Sequence, residues 1–209
     1  MKYLAHIIRI LFFAAFVLLL LNGKMLLWFA VFAASLILGV VFGRLYCGYV
    51  CPMNTLMIPT AWLSKKLKIN TDKTPPWLPK GFVPWLMLGL TLVTMLIGKR
   101  LLHIDFPILP IWLAIAVLIT LRYKPEVFHN LICPFGALQK ALGRFAIFSK
   151  RVTPDTCIGC KKCEKVCPSA AIAVDTTTKK AIITTALCHQ CTECTDVCPT
   201  HAIRYMKAK

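Results

Sequence analysis

The chain has 209 residues, 58% of them hydrophobic, and a mean hydropathy of +0.69. That apolar share lies above the level of water-soluble domains and excludes a disordered or ordinary globular chain. Lys and Arg number 25 against 8 Asp and Glu, a net charge of +17. Beside apolar runs, such an excess sets membrane topology and meets anionic lipid, so a nucleic-acid partner is set aside.

Residues Tyr3 to Leu21 are almost continuously apolar. Lys2 and Arg9 resemble the charged start of a signal peptide, but no small-residue cleavage site follows. Asn22-Gly23-Lys24 comes instead, then a second apolar run from Met25 to Phe42. Each run approaches the about 20 residues that cross a bilayer, so 1–43 reads as a transmembrane hairpin. A polar stretch, 44–82, carries a cysteine pair, an amphipathic segment over Leu56–Leu67 and a rigid connector at Thr74–Pro79. Trp77 and Trp85 suit an interfacial belt. A second hairpin is expected over 83–122, from Val83 to Ile97 and from Ile104 to Leu121. Residues 123–150 carry one more cysteine.

With four spans, the N-terminus, the 44–82 loop and everything after Arg122 share one side, and nearly all Lys and Arg fall there. The positive-inside rule makes that side cytoplasmic. Every cysteine falls on it too, which suits thiolate ligands in a reducing compartment. The expected location is the cytoplasmic (inner) membrane, multi-pass, with both termini and the cysteine-rich end inside.

Residues 151–209 contain a repeat at an offset of 31. Cys157, Cys160, Cys163 and Cys167-Pro168 match Cys188, Cys191, Cys194 and Cys198-Pro199, and each copy continues to Ala-Ile, at Ala171-Ile172 and Ala202-Ile203. This is the bacterial ferredoxin run written twice, each fourth cysteine ligating the other cluster. One [4Fe–4S] cluster is assigned to Cys157, Cys160, Cys163 and Cys198, the other to Cys188, Cys191, Cys194 and Cys167. The fourth cysteine of each run is expected to begin a short helix. Zinc also takes Cys-x-x-Cys pairs, but as pairs of pairs rather than duplicated four-cysteine runs ending in Pro. The fold class is therefore a membrane α-helical anchor of four helices in two hairpins, followed by a small α+β two-cluster ferredoxin domain.

Three cysteines remain. At an offset of 82, Cys47 lies over His129 and Cys51-Pro52 over Cys133-Pro134, so each hairpin ends in a related motif. Hairpins ending in Cys-x3-Cys-Pro ahead of a double ferredoxin module resemble the membrane quinol dehydrogenase subunit of periplasmic nitrate reductase systems, NapH type. Related membrane polyferredoxins accompany nitrous oxide reductase and cytochrome oxidase biogenesis. The resemblance covers nearly the whole chain and implies electron passage between a quinone pool and clusters, for a partner redox subunit. His129 departs from the pattern by standing where a second Cys-x3-Cys-Pro needs cysteine. Three readings of this set stay open: a third iron–sulfur cluster on Cys47, Cys51, Cys133 and His129; a redox-active Cys47/Cys51 pair with His129 on the surface; or zinc on the same four residues.

His6 alone lies within a span, which argues against a bis-histidine haem. His103 and Asp105, near the outer end of the fourth span, would serve a quinone site as proton acceptors, or sit in water at the loop. His189 and His201 are expected to face solvent, and Lys161, Lys162 and Lys165 to surround the first cluster, either steering an acidic partner or forming a merely solvated face. The leading function is an iron–sulfur electron-transfer subunit. The competing classes are a maturation factor reducing a metal or disulfide through Cys47 and Cys51, and a redox-sensing membrane regulator.

Overall fold

The computed structural model describes residues 2–71, 74, 78, 81–102 and 107–207. His103, Asp105 and Trp77 lie outside the described residues. The chain divides into two compact units, Met1–Pro52 with Gln139–Lys209, and Met53–Leu138.

The first unit begins with α1 (Lys2–Leu21) and α2 (Met25–Phe42). They are joined by a turn in which Gly23 takes φ +66° and the Asn22 side-chain amide donates to the Leu18 carbonyl at 2.7 Å. Phe16 meets Trp28 edge-on at 5.2 Å, and the Trp28 indole N–H donates to the Tyr46 hydroxyl at 3.1 Å. α2 stops at Gly43, φ +73°, and a π-helical turn, Tyr46–Val50, follows.

The C-terminal module contains β1 (Phe148–Val152), β2 (Ile172–Val174), β3 (Ala181–Ile183) and β4 (Ile203–Lys207). β1 pairs antiparallel with β4, Lys150 opposite Tyr205, and β2 with β3, Ala173 opposite Ile182. Its small core is Ile172, Ala181 and Ile203 with Cys163 and Cys194. Phe42 stacks on Phe148 at 6.1 Å and Phe148 on Tyr205 at 6.4 Å, while the Tyr205 hydroxyl donates to the Phe42 carbonyl. The end of α2 and the β1–β4 pair thus share one apolar contact.

The second unit holds α3 (Pro52–Lys66), α4 (Val83–Ile97) with a π turn Gly98–Leu102, α5 (Ile108–Arg122), α6 (Pro125–Leu131) and the first half of α7 (Pro134–Gly143). Buried Ser64 donates to the Leu121 carbonyl at 2.6 Å, and the Trp112 indole to the Thr91 hydroxyl at 3.2 Å. Leu78, Val83 and Val127 form its apolar centre. Among the described residues α5 begins at Ile108, and the expected start at Ile104 lies outside them. Pro110 is tolerated in the first turn.

Among the described residues, Tyr3–Leu21, Met25–Phe42 and Val83–Leu101 are long and apolar enough to cross a membrane. Ile108–Arg122 is apolar but has only 15 residues. Large apolar side chains such as Ile10, Leu18, Leu26 and Leu92 are exposed on the long helices, as lipid-facing residues are.

Ile203 is 5% exposed in a core of five buried side chains. Ile203→Ala is expected to destabilise the module by about 2–5 kcal/mol, read as a lower melting midpoint of the full chain in detergent.

Candidate metal centres

The first cysteine run wraps a cavity. Cys157, Cys160, Cys163 and Cys198 line it together with Gly159 and Lys161. Gly159 takes φ +66°, and a β-carbon there would collide with the Lys179 carbonyl. Lys161, also left-handed at φ 59°, turns the loop into the short helix α8 (Lys162–Val166). The Lys180 ammonium donates to the Cys157 carbonyl at 2.6 Å and closes the loop's other side.

The second run is more deeply placed. Cys188, Cys191 and Cys194 are buried, with Cys194 in the short helix α9 (Glu193–Asp196), and Cys167 is half-buried. The fourth cysteines begin turns rather than the expected helices: Pro168-Ser169 and Pro199-Thr200 lead to Ala170 and His201, both with positive φ. That reversal aims the next N–H back at sulfur. Ala171 donates to the Cys167 Sγ at 3.2 Å, and Ala202 to the Cys198 Sγ at 3.3 Å, one bond per repeat. Ala181 adds a third to Cys157 at 3.5 Å.

Electrostatics separate the two sets. Burial pushes the Cys188 thiol up to about 12, with Cys191 and Cys167 adding to it and Lys150 opposing. Burial does the same to Cys194, again to about 12 with Lys150 opposing. Burial raises Cys191, against which Glu193's backbone N–H and the Arg9 guanidinium work. In the first set, burial raises Cys163. Burial works against Cys198 too, but the Thr200 hydroxyl and the Ala202, Thr200 and Ile203 backbone hold that thiol below its ordinary value.

The third set is distributed over both units. Cys47 lies in the π turn and Cys51 just after it, both buried in the first unit. Arg44, fully buried, places Nη2 3.7 Å from the Cys47 Sγ and donates from Nη1 to the Ala186 carbonyl at 3.3 Å. Gly48 lies directly against the His189 carbonyl, where a β-carbon would collide, and the Tyr49 hydroxyl donates to the Gln190 carbonyl at 3.2 Å. In the second unit, Cys133 accepts from the Gly136 N–H at 3.3 Å. His129 is 3% exposed and meets the Asn54 Oδ1 at 3.2 Å through Nε2. The reading of His129 as a surface histidine is therefore corrected, and so is that of His189, which is 1% exposed beneath the π turn. His201, Lys161, Lys162 and Lys165 are exposed as expected.

Several neighbours went unread in the sequence. Arg9, read there only as a charge near the N-terminus, is 3% exposed; its Nε donates to the Gly48 carbonyl at 2.8 Å, its guanidinium lies over the Tyr49 ring, and Nη1 is 4.0 Å from Glu193. Gln190 ties the Cys188–Cys191 loop to β1, accepting from the Lys150 N–H at 2.9 Å and donating to the Ser149 hydroxyl at 2.9 Å. An intramembrane Arg with no visible partner was the available signal.

Among the described residues, no three Cys, His, Asp or Glu side chains close on a single ion. A four-iron cube spaces its thiolates around a larger body, and the Cys157–Cys198 set lines a cavity rather than meeting at a point. Sulfur-only donors, a loop with no room for an extra β-carbon and N–H groups turned toward sulfur fit an iron–sulfur cluster.

Comparison with known proteins agrees. A 4Fe-4S dicluster domain matches residues 156–207, and a 4Fe-4S binding domain matches 25–70 and 105–153. The methylamine utilization ferredoxin-type protein MauN of Methylobacillus flagellatus is 27% identical over 186 residues, 79% of this chain and 64% of its own length. The ferredoxin-type protein NapH of Haemophilus influenzae is 27% identical over 140 residues, 62% of this chain and 49% of its own. The uncharacterized protein MJ0749 of Methanocaldococcus jannaschii is 27% identical over 139 residues, 64% and 55%. The matched part spans between about half and two thirds of these relatives. No solved structure matches.

Fold and site define a ferredoxin-type electron-transfer protein that carries iron–sulfur clusters and associates with membrane through its apolar helices. The chain is similar to ferredoxin-type proteins of the NapH and MauN kind and carries their 4Fe-4S domains.

Two outcomes follow from this geometry. Gly48→Ala forces the π turn away from the His189 carbonyl and is expected to destabilise the first unit by about 1–3 kcal/mol, measured by thermal melting of the full chain. In metal-free protein, Cys188 and Cys194 keep their protons to about 12, whereas unfolded thiols release theirs near 9.0. The folded form then binds more protons in that window, so stability is whole below pH 9 and declines progressively as pH rises toward 12. Melting of chelator-treated protein from pH 8 to 11 at about half-unit steps checks the direction.

Proposed function

We propose that the chain is a membrane electron-transfer subunit that passes electrons between a quinone pool, or a membrane-bound partner, and [4Fe–4S] clusters at the cytoplasmic face. The observation that carries this reading is the packing of the Cys47 turn, at the end of two long apolar helices, against the Cys188–Cys191 loop. Electron carriers need redox groups held close and rigid, and the Gly48–His189 approach supplies a backbone contact with no side chain between.

When bound, each cluster takes up and gives back one electron. The protein's own share is binding and placement. Cys157, Cys160, Cys163 and Cys198 would hold one cluster; Cys188, Cys191, Cys194 and Cys167 would hold the other. The Ala171 and Ala202 N–H groups stabilise charge on the fourth thiolate of each. Four spans would leave both termini and all cysteines on the inner side, with Val83–Leu101 and Ile108–Arg122 as the second hairpin. His103 and Asp105 would accept the quinol protons near the outer surface. Cys47, Cys51, Cys133 and His129 fall in the two stretches matched by the 4Fe-4S binding domain, which favours a third cluster over zinc for that set.

A second reading, reduction of a metal or disulfide in an assembling enzyme, gains from the closeness of Cys47 and Cys51, in and directly after one π turn. The names of the relatives MauN and NapH both carry the words ferredoxin-type, which supports the electron-carrying reading.

In anaerobic proteoliposomes, a short-chain quinol is expected to bleach the visible cluster absorbance. His103→Ala and Asp105→Asn are expected to slow that bleaching by about 10²-fold. Clusters that dithionite reduces and quinol leaves untouched refute the quinone reading. Iron–sulfur absorbance surviving in a folded Cys157→Ala, Cys188→Ala double variant is the expected sign of the third cluster, and a colourless folded variant denies it.

A further inference from the structure

Arg9 is a buried cation in an apolar helix, and nothing in the ligand sets explains it. It reaches from α1 to the edge of the second cysteine run, donating to the Gly48 carbonyl and lying 4.0 Å from Glu193, the residue before Cys194. Lys150, 7% exposed, bonds Thr195 through Nζ at 3.3 Å on another side of that run. The first run has cations too, but Lys161, Lys162 and Lys165 are exposed, so water and salt screen them. Cys160 and Ile158 are exposed as well, whereas Cys188, Cys191 and Cys194 are buried.

We propose that the site of Cys188, Cys191, Cys194 and Cys167 is the inner relay point, in contact with the Cys47 turn, that the Cys157 site is the outer one, and that the buried guanidinium of Arg9 tunes the potential of the inner site. This deepens the electron-transfer reading and rests on its two ligand sets. Reduction adds one electron, and one unit of negative charge, to a site nearly cut off from water. Burial alone disfavours that extra charge. A fixed cation in the same dry surroundings opposes the penalty far more strongly than a solvated lysine does. Arg9 acts through space on the site and is a positioning and tuning residue, not a ligand. Its contact with the Gly48 carbonyl also holds the Cys47 turn against the His189–Gln190 backbone.

The test is a potentiometric EPR titration of cluster-loaded full-length protein in detergent, with dithionite as the one-electron source. Iron and sulfide are counted first; absence of both refutes the ligand reading itself, separately from the order of the sites. A soluble paramagnetic relaxant is expected to broaden the signal lost in Cys160→Ala and to spare the one lost in Cys191→Ala. Arg9→Gln is expected to move the spared signal to lower potential and leave the other in place. Arg9→Lys restores the wild-type position. Glu193→Gln, which removes a negative charge from the same edge, moves the spared signal the opposite way. A relaxant effect on both signals or on the Cys191-dependent one overturns the order. Unmoved potentials, or equal shifts of both signals, in the Arg9 and Glu193 variants overturn the tuning role. If Arg9→Gln yields no loaded protein, the Glu193→Gln shift decides it.

Discussion

Negative charge on sulfur, held where water is scarce, is the constraint around which the rest of this molecule is arranged. A thiolate in an apolar pocket is expensive, and burial alone drives Cys188 and Cys194 far toward the neutral thiol. The protein answers with fixed partners. Backbone N–H groups are turned onto sulfur by left-handed residues at Ala170 and His201. Lys150 is brought in by β1 and Arg9 by α1, so both the membrane helices and the small sheet contribute to the same enclosure. Of the outer cysteines, Cys160 is exposed, Cys157 and Cys198 are half-buried and Cys163 is buried.

The eight C-terminal cysteines, their repeat and the long apolar runs were legible in the residues alone. Fixed ligand spacing and hydropathy are local properties, and local properties survive in sequence. What escaped was non-local. Gly48 and His189 meet backbone to backbone although 141 residues separate them, and no pattern in either segment announces it. His189 reads as a polar loop residue and is buried where the π turn packs against its carbonyl. Arg9 looked like a topology signal because its partners, Gly48 and Glu193, are distant in the chain. The turns after Cys167 and Cys198 were misread as helix starts because proline there permits a first helical turn; the left-handed residue two positions beyond ends it.

The weaker repeat has gained a physical reading. The 4Fe-4S binding domain matches twice, over 25–70 and 105–153, as an offset of 82 residues implies. Its two copies have diverged in how they treat the equivalent position. Cys47 faces a guanidinium in one unit. His129 meets the Asn54 amide oxygen through Nε2 in the other.

The pairing of β1 with β4 bears on biogenesis. β4 follows both cysteine runs in chain order, and its partner is bridged by Gln190 to the loop that holds Cys188 and Cys191. Cys198, needed beside Cys157, comes only just before it. Neither ligand set is therefore enclosed until synthesis has passed both runs, and loading with iron and sulfide belongs after that point.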